Sequence, residues 1–186
     1  MFEQEVLEVV SALERAGCRF WIAGGWGVDA IVGAWTREHR DLDLALDAAC
    51  EAEVLGVLEG LGYSIGTDWR PTRVELAAPG ARWVDLHPVR FDADGRGRQA
   101  DGEGGCFEYP AGGFTVGQIA GRAVPCLTAE LQVRFRRGYA LRDVDLHDLA
   151  LLSGSPPPVE IRALGAADRD GVIELSPRGD DRHRRR

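Results

Sequence analysis

The chain contains no lysine; all 22 of its Lys and Arg positions are arginine. That removes Schiff-base chemistry, the phosphate-binding lysine of P-loop enzymes and the strand lysine of protein kinases in one step. No stretch approaches the roughly twenty apolar residues that a membrane helix needs. The first residues, MFEQEVLEVV, are acidic where a secretory leader would be basic, so a cytoplasmic protein with no membrane partner is expected. Cysteine is sparse: Cys18, Cys50, Cys106 and Cys126 form no CxxC pair and no zinc-type spacing with histidine, and they read as reduced, small core residues. Positive charge is scarce as well. The formal net charge is −8, and the one basic cluster, Arg182, Arg184, Arg185 and Arg186, lies at the very end, so the body is more acidic still. Such a field disfavours duplex nucleic acid and favours a cationic small molecule.

What is present suits a single functional unit. A chain of 186 residues with 45% hydrophobic and 28% charged content can bury one real core, with room for a small helical appendage, as a monomer or a homodimer. Glu3 to Ala16 sets Val6, Val9, Val10 and Leu13 at helical spacing and is followed by Gly17, which predicts an amphipathic helix. Arg19 to Ala23 reads as a short buried strand breaking into a tight turn at Gly24-Gly25, with a short helix from about Trp26 to Ile31. From Asp41 to Leu46 the pattern alternates strictly: Leu42, Leu44 and Leu46 face the core, and Asp41, Asp43 and Ala45 face the other way.

Glu51 to Leu61 is a second helix. Arg73 to Ala77 and Arg82 to Val89 are strands on either side of the turn signal Pro79-Gly80. Asp92 to Gly105, rich in Gly and Asp, reads as a mobile loop. Phe114 to Ile119 and Ala123 to Leu127 form a hairpin around Gly121, and Thr128 to Arg137 and Asp143 to Leu152 are two further helices. The expected fold class is α/β (α+β): a small mixed sheet flanked by helices, with a core over 1–127, a C-terminal helical part over 128–152 packed on it, and a Pro-rich linker and loosely ordered tail over 153–186.

Two aspartates at i and i+2 on a strand have α-carbons roughly 6.5 to 7 Å apart on one face, close enough to bridge hard cations. Leaving both ionised without a cation is costly. A third acid, Asp85, shares a face with Trp83 and His87 on a later strand. If that strand lies near the first, three carboxylates converge on the all-oxygen surroundings that Mg²⁺ prefers, and a pair of ions there can hold the attacking and leaving oxygens of a phosphoryl or nucleotidyl transfer. A lone D-x-D is more often a solvated strand edge. Here it follows a strand, a Gly-Gly turn and a helix, and Gly24 and Gly25 would let the backbone and the helix N-terminus approach a phosphate.

The segments WIAGGWGVD (21–29), TREHRDLDL (36–44), VDLHP (84–88) and GYALRDVDLHD (138–148) resemble the small antibiotic nucleotidyltransferases of the DNA polymerase beta superfamily, specifically the group holding aminoglycoside 2''-adenylyltransferase and the lincosamide nucleotidyltransferases. The resemblance covers nearly everything up to Leu152. It implies that Gly24 and Gly25 hold the triphosphate, that Asp41 and Asp43 bind Mg²⁺, two ions in all, and that Asp85 completes the metal site or serves as general base for the acceptor hydroxyl. Trp26 stands where superfamily members more often carry serine, and Arg136 where many relatives carry histidine.

Other residues have two readings each. Arg37 and Arg40 flank the metal strand, where they could clamp phosphate or pair with a nearby acid. His39 and His87 read as supporting groups, and the five tryptophans as core. Asp101 and Glu103 in the Gly/Asp-rich loop are candidates to meet an amino sugar. Tyr139 is a candidate on the acceptor side, while Asp143 is equally a helix cap and Asp148 a surface acid.

The expected reaction is transfer of a nucleoside monophosphate, AMP from ATP by preference, to a hydroxyl of an aminoglycoside-like antibiotic, with release of pyrophosphate. The alternatives are a lincosamide acceptor, a toxin-type enzyme acting on RNA or protein, and a non-catalytic small-molecule-binding relative.

Overall fold

The computed structural model describes residues 1–154; the expected linker and tail fall outside them from residue 155 onward. The elements follow in the order α1 (Glu3–Arg15), β1 (Phe20–Ile22), α2 (Gly24–Val32), β2 (Leu42–Asp47), α3 (Glu51–Gly60), β3 (Ser64–Trp69), β4 (Arg73–Ala78), β5 (Arg82–Phe91), β6 (Gly97–Ala100), β7 (Cys106–Tyr109), β8 (Phe114–Ile119), β9 (Arg122–Leu127), α4 (Ala129–Arg134) and α5 (Asp143–Leu152). The strands run β3-β4-β5-β2-β1-β9-β8 across one mixed sheet, and the β6–β7 hairpin extends it from the far end of β5. β2 is parallel to β5 and β1 is parallel to β9; the other pairings are antiparallel.

Leu42, Leu44 and Leu46 are fully buried in one cluster with Val74, Leu76, Val84 and Leu86 of the neighbouring strands and with Val6, Val10, Leu13, Val54 and Leu58 of α1 and α3. Full burial is worth about 2 kcal/mol per leucine, and a one-residue slip of β2 would drive Asp41 and Asp43 into that cluster. The leucine face therefore fixes where the acids point. Behind them a smaller cluster of Ala45, Val89, Tyr109, Leu127 and Leu131 packs the acid-bearing side of the sheet.

Several local expectations are corrected. Gly24 and Gly25 are the first turn of α2 rather than a turn preceding it. β3 had no visible signal, because SIGTDW at the sheet edge is mostly exposed and does not alternate. Residues 92–105 are not one mobile loop: Gly97–Ala100 pairs with β5 on one side and β7 on the other, with Gly97 and Gln99 buried. Trp26 is core, but Trp35 and Trp69 are exposed. Cys18 and Cys126 are buried, Cys50 is half-buried and Cys106 is exposed; all four are free. Asp143 is the first residue of α5, and Arg142 holds the cap position, its backbone N–H donating to Asp145 at 3.0 Å. No helix among the described residues is long and apolar enough to cross a membrane.

Candidate active site

The parallel pairing of β2 with β5 puts Asp43 directly opposite Asp85, with Leu42 opposite Val84 and Leu44 opposite Leu86. On the other side of β5, Glu75 of β4 is the register partner of Asp85. Three carboxylates thus stand in a row across three strands. Asp41 precedes β2, and its half-buried side chain has Arg40 Nη1 3.7 Å away.

Asp85 is the most deeply placed, with its side chain 4% exposed. Its Oδ2 accepts from Arg73 Nη1 at 2.6 Å, while its Oδ1 is buried with no hydrogen-bond partner. A buried carboxylate oxygen without a donor is expensive, and a cation would satisfy it. Ligand atoms of Asp43, Asp85 and His87 lie within 4.8 Å of one another. The donor set fits a hard divalent cation, with Asp43 and Asp85 as the oxygen ligands; Asp41 is not in that group but lines the same cavity as Asp43.

Electrostatics separates the acids. Burial pushes Asp85 up to about 6, with the nearby Asp43 and Asp41 charges adding to it against His87 and Arg73. Asp41 is raised by burial and by Asp43. At Asp43 burial acts upward too, but the hydrogen bond from His87, with Arg136 and Arg73 beyond it, brings the net shift below the usual carboxylate value. One acid that holds its charge beside one poised to exchange a proton near neutrality is a pattern of acid–base and metal sites.

His87 supports Asp43. Its Nε2 is 3.3 Å from Asp43 Oδ1, and its Nδ1 is 3.1 Å from Gln99 Nε2. The Gln99 amide also donates to the Thr72 carbonyl at 3.0 Å, and its oxygen accepts from Tyr109 Oη at 2.6 Å. The Thr72 carbonyl requires the NH₂ on that side, so Nδ1 of His87 accepts and Nε2–H is turned to Asp43.

The glycines make room. A side chain on Gly24 would put its Cβ 1.9 Å from Asp43 Oδ2, and one on Gly25 would lie 2.2 Å from His39 Nδ1 and 2.6 Å from Arg37 Nη2. Their absence lets the Asp43 carboxylate and Arg37 stand against the first turn of α2, whose free N–H groups and dipole attract phosphate.

Between α2 and β2 the chain is pinned by Asp29, buried on α2, which binds His39 Nε2 through Oδ2 and accepts from Thr36 Oγ1 through Oδ1, each at 2.5 Å. His39 is therefore structural. Both arginines are paired with acids, which leaves the phosphate reading open beside that pairing. Arg37 binds Asp148 through Nε and Nη2, both at 2.9 Å, and Arg40 binds Glu75 at 2.7 Å with its guanidinium over Trp83. Both still line a cavity of about 540 Å³ that also holds Gly24, Gly25, Asp41 and Asp43. Phe107, Phe135, Tyr139 and Val144 line it as well, interleaved with Gln132, Arg136, Arg142, Asp145 and Asp148.

Asp101 and Glu103 do not line this cavity; the Asp101 carboxylate caps its own turn by accepting from the Glu103 and Gly105 N–H groups. Tyr139 does line it, its hydroxyl 3.4 Å from Asp145 Oδ1. Asp148 is not a surface acid but 1% exposed, and it also accepts from Arg136 Nη2 at 2.7 Å. The sequence reading missed Arg73, Glu75 and Gln99. Counting back along the hairpin from Pro79-Gly80 would have set Glu75 opposite Asp85 and Arg73 two residues away on the same face; nothing local marked Gln99.

A strand, a helix opening on two glycines, and acids facing one another on adjacent parallel strands define a nucleotidyltransferase. The chain belongs to the aminoglycoside-2''-adenylyltransferase family, whose model matches residues 5–152. It is 35% identical over 147 residues to a lincosamide resistance protein of Staphylococcus haemolyticus, covering 79% of this chain and 91% of that one. It is 29% identical over 119 residues to a 2''-aminoglycoside nucleotidyltransferase of Escherichia coli, covering 64% and 63%. The crystal structure of the lincosamide antibiotic adenylyltransferase LnuA with lincomycin bound superposes with a TM-score of 0.75 at 35% identity, over 82% of this chain and 97% of that one. These relatives are named as nucleotidyltransferases or resistance proteins for aminoglycoside and lincosamide antibiotics.

Proposed function

We propose that the chain transfers a nucleoside monophosphate, AMP from ATP, to a hydroxyl of an antibiotic and releases pyrophosphate. The observation that carries this is the facing pair Asp43 and Asp85 beside the glycine-opened N-terminus of α2. Asp43 and Asp85, with Asp41 lining the same cavity as Asp43, would hold Mg²⁺, which when bound neutralises charge on the triphosphate and aligns the attacking and leaving oxygens. Gly24, Gly25 and the α2 N–H groups receive phosphate oxygens. His87, fixed by Gln99, keeps Asp43 ionised and in one orientation. Asp85 takes one of two roles, ligand to the ion or, where it is not committed to it, base for the acceptor hydroxyl; burial raises its pKa in the metal-free protein.

For the acceptor, a lincosamide is the reading that the cavity supports. Asp145 and Asp148 on its wall are paired with Arg142, Arg37 and Arg136, so few free acids remain there for a polycation. Phe107, Phe135 and Tyr139 offer apolar surface suited to an amphipathic sugar amide with one amine. An aminoglycoside, expected from the net charge, keeps the support of the family match and of the 29%-identical relative. Incubation with Mg²⁺, each nucleoside triphosphate and panels of both antibiotic classes, read by product mass, decides. A lincosamide–monophosphate adduct is the expected product. No adduct with any antibiotic, with nucleotide binding intact, overturns the reading.

A further inference from the structure

Helix α5 reaches the α2 side of the cavity through one buried acid. Asp148 of α5 accepts two hydrogen bonds from Arg37, 111 residues earlier, and one from Arg136. Arg136, itself 8% exposed, spends Nη1 on the Gln132 carbonyl at 3.0 Å and on the Gln132 side-chain oxygen at 3.3 Å. Two arginines share one carboxylate here, so the triad carries a net positive charge. Among the described residues no second acid pairs with either arginine.

Asp43 and Asp145 act on Arg136 only at a distance, and an arginine charge left without a direct partner is satisfied by an anion in the cavity. Two buried donors beside it point the same way. Arg136 Nε and Gln132 Nε2 have no partner, both residues line the cavity, and Gln132 is 2% exposed. All of this faces the opening turn of α2, where Arg37 Nη2 lies 2.6 Å from the point that a Cβ on Gly25 would occupy. Surplus positive charge, orphaned donors and a helix N-terminus together describe a place for a multiply charged anion.

We propose that Asp148 is a positioning residue that holds Arg37 and Arg136 as a net-cationic pair for the diphosphate leaving group of the nucleotide. This rests on the nucleotidyl-transfer reading. As the acceptor oxygen bonds to the α-phosphorus, the bond from that phosphorus to the α,β-bridging oxygen breaks. Its electron pair leaves with pyrophosphate, while the acceptor proton passes to the base. The arginine pair meets the charge that arrives on the leaving group, and Asp148 keeps the two guanidinium groups from repelling one another apart.

The test compares the affinities of magnesium pyrophosphate, nucleoside triphosphate and nucleoside monophosphate by titration calorimetry, in the full chain and in Asp148→Asn, Asp148→Glu and Arg136→Gln. Circular dichroism and melting first establish that each is folded. Asp148→Asn and Arg136→Gln should weaken pyrophosphate and triphosphate about tenfold or more and leave the monophosphate within about twofold; Asp148→Glu should recover part of the loss. Kinetics should show KM for the triphosphate rising while KM for the antibiotic holds. Equal losses for mono- and triphosphate, or unchanged pyrophosphate affinity in a folded variant, overturn the proposal. If Asp148→Asn does not fold, Arg136→Gln decides, because it leaves Asp148 and Arg37 as a neutral pair. Tight, variant-sensitive pyrophosphate binding without transfer to any antibiotic would keep this inference and refute the acceptor reading.

Discussion

Asp43 and Asp85 are register partners on adjacent parallel strands, 42 residues apart in sequence and side by side in the sheet. Asp43 has only His87, at 3.3 Å, as a side-chain partner, and Asp85 leaves one oxygen unsatisfied although Arg73 binds the other at 2.6 Å. Like charges at this spacing persist when a cation completes them.

Asp43→Asn should therefore abolish magnesium-dependent transfer, by on the order of 10³-fold or more, while leaving the protein folded. Initial rates across a Mg²⁺ titration, with melting curves alongside, check this. Activity within a few-fold of the parent would remove Asp43 from the metal site.

The raised pKa of Asp85 makes a stability prediction for the metal-free protein. The folded value, about 6, lies above the unfolded value near 4, so the carboxyl favours the fold when protonated. Its contribution is complete below about pH 4 and is lost as pH rises through about 6. Asp85→Asn should consequently stabilise the metal-free protein at pH 8, by on the order of 2–3 kcal/mol, and have little effect at pH 4. Urea titrations at the two pH values measure it. Added Mg²⁺ should stabilise the parent at pH 8 but not the variant.

Gly24 adopts φ +59°, and a Cβ there would overlap Asp43 Oδ2. Gly24→Ala should cost about 1–2 kcal/mol of stability and displace the acid. Activity should fall further than the melting shift explains, which paired kinetic and calorimetric measurements would show.

Gln99→Leu removes the donor to His87 and the bond to Thr72 without touching either acid. A loss of about 10–100-fold in kcat, with KM for Mg²⁺ raised, is expected of a group that orients a metal ligand. An unchanged Mg²⁺ dependence would show that His87 holds its position without Gln99.

What was legible in the sequence follows from short-range physics. The leucine alternation of 42–46 fixed the strand and the face of its acids, and the glycine pair announced a close approach, although Gly24 and Gly25 begin α2 instead of preceding it. Long-range pairing was not legible. Arg37 and Asp148 meet across 111 residues; in its own segment Arg37 could be assigned to phosphate or to some nearby acid, and Asp148 looked like a surface charge. Gln99 sits in a Gly/Asp-rich stretch that resembles a loop because its strand is short and is held by backbone pairing and a buried amide, not by apolar alternation. Counting register from Pro79-Gly80 would have found Glu75 and Arg73; no comparable rule reaches β6.

The placing of β1 between β2 and β9 has a consequence during synthesis. Its antiparallel partner, β2, leaves the ribosome within about two dozen residues, but its parallel partner, β9, begins only at Arg122. For that whole interval the Phe20–Ile22 edge stands open, apolar and without a charge to repel another chain, and once β5 is made it borders a finished half-sheet. The nascent enzyme is most exposed to edge-to-edge aggregation in that window, and slowing translation across residues 48–121 should lower its soluble yield more than slowing it after residue 127.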